Sequence, residues 1–157
     1  MSEIRNVEVT RTIDATPELL YAMVSDVTRM GDWSPESRGA EWRGGATGAV
    51  VGAKFRGKNQ RGFRRWSTTC TVTAADPGKS FIFDVHFGPI RVATWGYSFE
   101  PAGEGCRVTE RWSDHRSKFF AVLSGVATGV QDRAAHNRSG MEATLEALAA
   151  CAATDSH

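Results

Sequence analysis

The sequence predicts an α+β fold in which a curved, seven-stranded antiparallel sheet wraps around a long C-terminal helix. Across residues 50–112 apolar side chains alternate with a period of two, and Gly and Pro interrupt the pattern at short intervals, as in a strand meander. Across residues 118–153 apolar side chains recur at steps of three, four and seven, as in a one-sided helix. The helical stripe consists of Val122, Val126, Val130, Ala134, Met141, Leu145 and Leu148. Such a helix must bury its stripe against the sheet.

The first third of the chain is predicted to form one strand and two short helices. Residues 3–14 alternate imperfectly between apolar and polar side chains, as in a strand. Thr16 is a good N-cap and Pro17 suits the first helical position, where its missing N–H costs nothing. Residues 30–35 combine two backbone breakers with Trp33, so we expect the helical region to end there in a loop.

Six further strands are predicted as antiparallel neighbours, because close turns join them and parallel strands would need long crossovers. They span residues 37–43, 51–58, 65–75, 80–87, 90–100 and 106–114, with a hairpin connection at residues 59–62. No linker, repeat or low-complexity tract divides the chain. We therefore expect one domain over residues 1–153 and a disordered polar tail over residues 154–157.

Side chains of one parity in each strand are predicted to line the concave face of the sheet. These sets are Trp66, Thr68, Cys70 and Val72; Phe81, Phe83, Val85 and Phe87; Ala93, Trp95, Tyr97 and Phe99; and Cys106, Val108, Glu110, Trp112 and Asp114. Aromatic rings dominate them, whereas the facing helix is rich in Val, Ala and Gly. Two arrangements stay open from periodicity alone: a core filled by large and small side chains, or a space for a ligand.

Composition excludes several classes of protein. The 41% hydrophobic content is that of an ordinary globular protein, and the net charge of +1 provides no global field for nucleic acid. The longest nearly apolar run, residues 119–130, is too short to span a membrane, and the N-terminus lacks the apolar core of a signal peptide. Three widely spaced cysteines suit buried thiols in a reducing compartment, and no histidine spacing indicates a metal site. We expect a cytoplasmic protein without metal or cofactor, as a monomer or homodimer.

Five segments carry a resemblance to a known superfamily. They are VTRTIDATPE at residues 9–18, GDWSP at 31–35, GAKFRGKN at 52–59 with Trp66, WGYSF at 95–99 and VTERW at 108–112. The chain resembles the START/Bet v1-like (SRPBCC) superfamily, specifically its bacterial polyketide cyclase/dehydrase-like branch, through about Ala153. The resemblance implies the helix-grip fold and an apolar cavity between sheet and helix. Similar proteins bind lipids, sterols or polyketides, and no universal catalytic motif accompanies the fold.

Given that resemblance, we expect a small hydrophobic metabolite, such as a lipid or polyketide, to bind in the cavity for transport, cyclisation or dehydration. The predicted ligand-binding residues are Trp33, Phe55, Asn59, Trp66, Phe83, Val85, Trp95, Tyr97, Glu110, Trp112, Phe120, Val130, Asn137 and Met141. An inward carboxyl at Glu110 would retain its proton unless paired, and with the Tyr97 phenol it is the candidate to polarise a ligand carbonyl. The alternatives for Glu110 are a salt bridge to an Arg or a strand-end position that reaches water, and the alternative for Tyr97 is a core aromatic.

Other features leave two interpretations each. Asn59 either orients a ligand or bonds its own hairpin backbone. Trp33 is either a lid over the cavity or an aromatic plug. Gly125 and Gly129 indicate either a hinge near the start of the long helix or close packing.

The basic residues support a second reading of the whole chain. They cluster at Lys54, Arg56, Lys58, Arg61, Arg64 and Arg65. They form either a solvated surface or the contact region of a protein-interaction module of the ribosome- or chaperone-associated type. A filled, inert domain is a third possibility.

Overall fold

The computed structural model describes residues 5–130 and 132–155. Its seven strands form one antiparallel sheet in the order β1-β7-β6-β5-β4-β3-β2. The strands are β1 (Asn6–Ile13), β2 (Ser37–Arg43), β3 (Lys54–Arg61), β4 (Arg64–Asp76), β5 (Ser80–Phe87), β6 (Ile90–Ala102) and β7 (Gly105–Asp114). From β3 to β7, a short turn joins each strand to the next one in the chain. Strands β1 and β2 lie at the two edges of the sheet. The predicted fold class is confirmed.

Within the described residues, three α-helices accompany the sheet: α1 (Pro17–Ser25), α2 (Lys118–Thr128) and α3 (Arg133–Asp155), with a 3₁₀ helix (Val27–Asp32) after α1. The Thr16 hydroxyl oxygen accepts a hydrogen bond from the Leu19 N–H at 3.1 Å, so it caps α1 as predicted. Helix α1 packs on β5 and β6, and α3 packs on β1 and β7. The main core lies between these helices and that half of the sheet.

The C-terminal helix is divided into two, whereas periodicity predicted one helix over residues 118–153. Gly129 ends α2 in the left-handed conformation at φ 76°, which glycine adopts without a steric penalty. Ala134, Met141, Leu145 and Leu148 are buried as predicted, but Val122 and Val126 are 68% and 64% exposed. The prediction that these two valines face the sheet was wrong, because α2 changes direction at Gly129.

The two ends of the described chain also differ from the prediction. Helix α3 continues to Asp155, so Thr154 is helical and does not belong to a tail; residues 156–157 lie outside the described residues. The first strand begins at Asn6, and the predicted strand residues 3–4 are likewise outside them.

The β3–β4 hairpin is tighter than predicted. Both strands extend to a two-residue turn of Gly62 and Phe63, which the φ of 62° at Gly62 permits. Asn59 therefore lies within β3, opposite Trp66, and the prediction that it lies in the hairpin loop was wrong. This register directs the Asn59 side chain to the same face as Phe55.

The concave face of the sheet carries the aromatic residues that parity predicted. Phe55 and Phe81 are fully buried, and the rings of Phe55 and Phe83 meet edge-on with centroids 5.1 Å apart. Phe87, at the end of β5, is half exposed. No helix within residues 5–130 and 132–155 is both long and apolar enough to cross a membrane.

Candidate functional site

A cavity of about 650 Å³ lies between the concave face of the sheet and helices α2 and α3. Its size falls within the range of ~300–1,000 Å³ that is typical of small-molecule sites. The predicted ligand-binding residues that line it are Phe55, Asn59, Trp66, Phe83, Val85, Trp95, Tyr97, Glu110, Trp112, Phe120, Asn137 and Met141. Half-exposed Phe87 and Leu123 also line it, so the cavity reaches the surface beside α2.

Small residues opposite the aromatic wall account for the space. On α3, Gly140 and Thr144 lie one helical turn apart along the cavity. A Cβ added at Gly140 would meet no atom within 4 Å, so the rings of the sheet do not close on this part of the helix. Large and small side chains therefore do not interdigitate completely here. Of the two arrangements that periodicity left open, a filled core and a space, the structure has the space.

Trp33 and Val130 are the two predicted ligand-binding residues that do not line the cavity. Trp33 directly follows the 3₁₀ helix and is 4% exposed within the core, with the Arg29 guanidinium 5.0 Å from the centre of its ring. It fills space as a plug and does not form a lid. Val130 is buried in the segment that joins α2 to α3.

The most unusual group in the cavity wall is the Glu110 carboxyl. Glu110 on β7 lies directly opposite Tyr97 on β6, and both side chains project to the concave face. The Tyr97 hydroxyl donates a hydrogen bond to Glu110 Oε1 at 3.2 Å. Glu110 is only 1% exposed, and its Oε2 has no hydrogen-bond partner in the described part of the chain. The salt bridge that would make Glu110 purely structural is therefore not formed there.

Burial changes the protonation of this pair. Loss of hydration raises the pKa of Glu110 from 4.5 to about 8, although the Tyr97 hydrogen bond partly opposes the change. The pKa of Tyr97 is raised well above its usual value, mainly because the phenol is buried. The charge of Glu110 and the hydrogen bond to it raise this pKa further. Glu110 is thus mainly a neutral acid at pH 7. Because Oε1 accepts from Tyr97, the proton of the neutral carboxyl resides on Oε2, the oxygen without a partner.

A second polar cluster lines the cavity and includes residues that the sequence did not single out. Arg133 Nη1 donates to both Glu36 carboxylate oxygens at 2.9 and 3.1 Å, and the Glu36 Oε2 lies 2.7 Å from His136 Nε2. Arg133 Nη2 donates to the Thr128 hydroxyl at 2.9 Å, and Nη1 contacts Asn137 Oδ1 at 3.4 Å. Burial lowers the pKa of Arg133, and the charge and hydrogen bonds of Glu36 oppose this effect. The cluster joins the loop before β2 to the α2–α3 break.

An ion pair fixes the start of α2 beside the cavity. Arg116 donates to both Asp114 carboxylate oxygens, at 2.8 and 2.9 Å, and to the Ser124 hydroxyl at 2.9 Å. Burial alone would raise the pKa of Asp114, but the hydrogen bonds and charge of Arg116 outweigh burial and lower it. Sequence spacing placed Asp114 on the inward face without revealing this partner.

The basic surface, the cysteine thiols and the possible metal ligands offer fewer functional groups than the Glu110 and Arg133 clusters. Lys54, Arg56 and Lys58 project to the exposed face of β3, where Lys58 pairs with Glu41 at 2.8 Å. Burial raises the pKa of the Cys70 thiol, in the cavity wall, to about 12. Among residues 5–130 and 132–155 there is no group of three or more His, Cys, Asp or Glu side chains arranged to hold a metal ion.

Residues 5–152 match the family described as polyketide cyclase / dehydrase and lipid transport. The chain belongs to this family, in agreement with the resemblance noted in the sequence. Comparison with curated proteins returns no match.

Solved structures show the same fold. The Polyketide_cyc-like protein Cgl2372 from Corynebacterium glutamicum is 34% identical with a TM-score of 0.65, over 94% of this chain and 91% of that one. Protein Ms6760 from Mycobacterium smegmatis is 17% identical with a TM-score of 0.65, over 97% and 92% of the two chains. The di-domain ARO/CYC StfQ from the steffimycin biosynthetic pathway is 14% identical with a TM-score of 0.73, over 96% and 51%.

Proposed function

We propose that this protein binds a small, largely apolar metabolite that carries a carbonyl group, of the polyketide or lipid type, in the cavity between the sheet and helices α2 and α3. The observation that carries the proposal is the Glu110 carboxyl, buried in an aromatic wall with one oxygen unpartnered. A buried polar group without a partner is costly, so its retention is explained by a ligand that completes its hydrogen bonding.

The proposed binding mode divides the ligand between two kinds of contact. The rings of Phe83, Trp95 and Trp112 would bury its apolar body, at roughly 25 cal/mol per Å² before ordering costs. The proton on Glu110 Oε2 would be donated to the carbonyl, with Tyr97 holding the carboxyl in place through Oε1. The same donor would polarise the carbonyl for cyclisation or dehydration, in line with the family description and the ARO/CYC neighbour.

The test uses flavone, a non-ionising aromatic ketone, and flavan, its counterpart without the carbonyl, titrated against the fluorescence of the cavity tryptophans. We expect flavone to bind about two- to tenfold more tightly than flavan at pH 6.5, the worth of one hydrogen bond. Above pH 8 this preference should disappear, because ionised Glu110 has no proton to donate. In Glu110→Gln the preference should persist at both pH values, because the amide N–H₂ donates throughout.

Two variants of one position provide the control for location. Gly140→Leu places a side chain in the open space beside α3, so flavone affinity should fall at least about tenfold while the fold is kept. Gly140→Ala adds a single methyl group and should change affinity by less than about twofold, with a gain in stability of roughly 0.5–1 kcal/mol from helix propensity. Equal affinities in the wild-type protein and Gly140→Leu would refute binding in this cavity.

The protein-interaction alternative remains a prediction of the sequence. Salt-sensitive co-purification of a protein partner, lost when Lys54 and Arg56 are reversed in charge, would favour it over the cavity proposal.

A further inference from the structure

The outward face of α2 is apolar and uncovered. Phe119, Val122, Leu123 and Val126 are between 53% and 79% exposed, although they occupy one short helix. Phe120 and Ser124 on the inward face of the same helix line the cavity, and half-exposed Leu123 lines it as well. Contiguous exposed apolar surface on a folded domain usually marks an interaction site.

Two hairpin tips continue this surface at either end of α2. Near its start, the ring of Phe120 meets that of Phe87 at the β5–β6 tip, with centroids 5.9 Å apart. At its end, a Cβ on Gly129 would lie 3.1 Å from side-chain atoms of both Arg61 and Arg64 of the β3–β4 tip. The β3–β4 tip also carries Phe63, which is 85% exposed. We call α2 and the two tips, residues 61–65 and 87–90, the rim.

The charge of the rim is of one sign. It contains Arg61, Arg64, Arg65 and Lys118, and neither α2 nor either tip contains an Asp or Glu. The protein as a whole has a net charge of only +1, so this concentration is local. Pairing of two rims in a symmetric dimer would bring arginines against arginines, which disfavours a second copy as the occupant. An anionic partner complements the rim.

The shape of the rim favours a lipid surface as that partner. Phe63, in the β3–β4 turn, and Phe119, on α2, are 85% and 79% exposed on two separate elements, and neither lines the cavity. Aromatic side chains flanked by Arg and Lys are the composition of segments that lie in a membrane interface, with rings below the headgroups and cations at the phosphates.

We propose that the rim docks on an anionic lipid surface, with Phe63 and Phe119 inserted below the headgroups and Arg64, Arg65 and Lys118 at the phosphates. The cavity mouth beside α2 then faces the lipid. This docking goes beyond the proposed ligand binding and does not require an occupied cavity, so it is tested on the protein without added ligand.

The experiment is flotation with vesicles of phosphatidylcholine containing phosphatidylglycerol, compared with phosphatidylcholine alone. The wild-type protein should float with the anionic vesicles and lose binding as salt rises, since the screening length falls from ~10 Å at ~0.1 M to ~3 Å at ~1 M. Phe63→Ser or Phe119→Ser should each weaken partitioning about tenfold through lost apolar burial. Arg64→Glu with Arg65→Glu should weaken it at least about 25-fold, at about fivefold for each cation removed.

Matched controls lie outside the rim. Val50→Ser with Val51→Ser removes two side chains of comparable exposure from the β2–β3 loop, and Arg11→Glu reverses an exposed cation on β1. Both variants should float like the wild-type protein. The proposal is overturned if the wild-type protein does not float, if it binds both vesicle types equally, or if the rim variants float like the controls. Salt-sensitive capture of an acidic protein without flotation would equally overturn it.

Discussion

Replacing Glu110 by Gln should make the protein more stable, by an amount that grows with pH. The pKa of Glu110 is about 8 in the folded protein and 4.5 when the side chain is in water. Below pH 4.5 the carboxyl is neutral in both states and costs little. Between these values the unfolded chain ionises Glu110 while the folded protein must keep it protonated, so the free energy of unfolding falls as pH rises. Gln has the same shape and carries no charge, so the variant does not lose stability in this way as pH rises.

The size of the effect follows from the two pKa values. At about 1.4 kcal/mol per pH unit, Glu110→Gln should be more stable than the wild-type protein by about 3 kcal/mol at pH 7 and about 5 kcal/mol above pH 8. Near pH 4 the difference should be close to zero. For a chain of this size the gain at pH 7 corresponds to roughly 10 °C in Tm.

The assay is urea unfolding of both proteins from pH 4 to pH 9, followed by circular dichroism. Glu146→Gln, which removes an exposed carboxyl from α3, is the matched control. The difference in free energy of unfolding between this variant and the wild-type protein should not grow with pH. Curves for the wild-type protein and Glu110→Gln that run parallel across the whole pH range would refute the reasoning, because burial would then impose no cost on the charged form.

Two further predictions concern other parts of the cavity wall. Glu36→Ala should lower the free energy of unfolding by about 1–3 kcal/mol in urea titrations, because it leaves the largely buried Arg133 without its carboxylate. Glu41→Ala, which breaks an exposed pair with Lys58, is the control and should cost nothing measurable; equal losses would mean that the Glu36 contact has no special role. In native protein at pH 8, iodoacetamide should alkylate Cys151 and leave Cys70 unmodified, because burial raises the pKa of the Cys70 thiol to about 12. Peptide mass mapping that finds Cys70 modified first would contradict the buried position of that thiol.

Features that depend on local periodicity could be predicted from the sequence. Alternation in β5, β6 and β7 identified the inward face, and with it placed Tyr97 and Glu110 on the same side of the sheet. To predict the hydrogen bond between them, one would also need the register that places Tyr97 of β6 opposite Glu110 of β7. Parity alone does not specify that register, because every inward residue of β6 has several possible neighbours on β7.

Features that depend on contacts between distant segments could not be predicted. Glu36 is about 100 residues from Arg133 and His136, and only the packing of the loop before β2 against the start of α3 brings them together. The division of the C-terminal helix had a signal in Gly129, but a glycine at that position was equally consistent with close packing. A large aromatic residue in a loop, such as Trp33, is consistent with a lid, yet the 3₁₀ helix before it directs its ring into the core.

The most direct test of the central claim is a carbon-13 NMR titration of the Glu110 side-chain carboxyl, with and without flavone. In the free protein the carboxyl should titrate near pH 8, and with flavone bound its apparent pKa should rise further, because the ligand contacts the protonated form. A carboxyl that titrates near 4.5 in both samples would contradict the account.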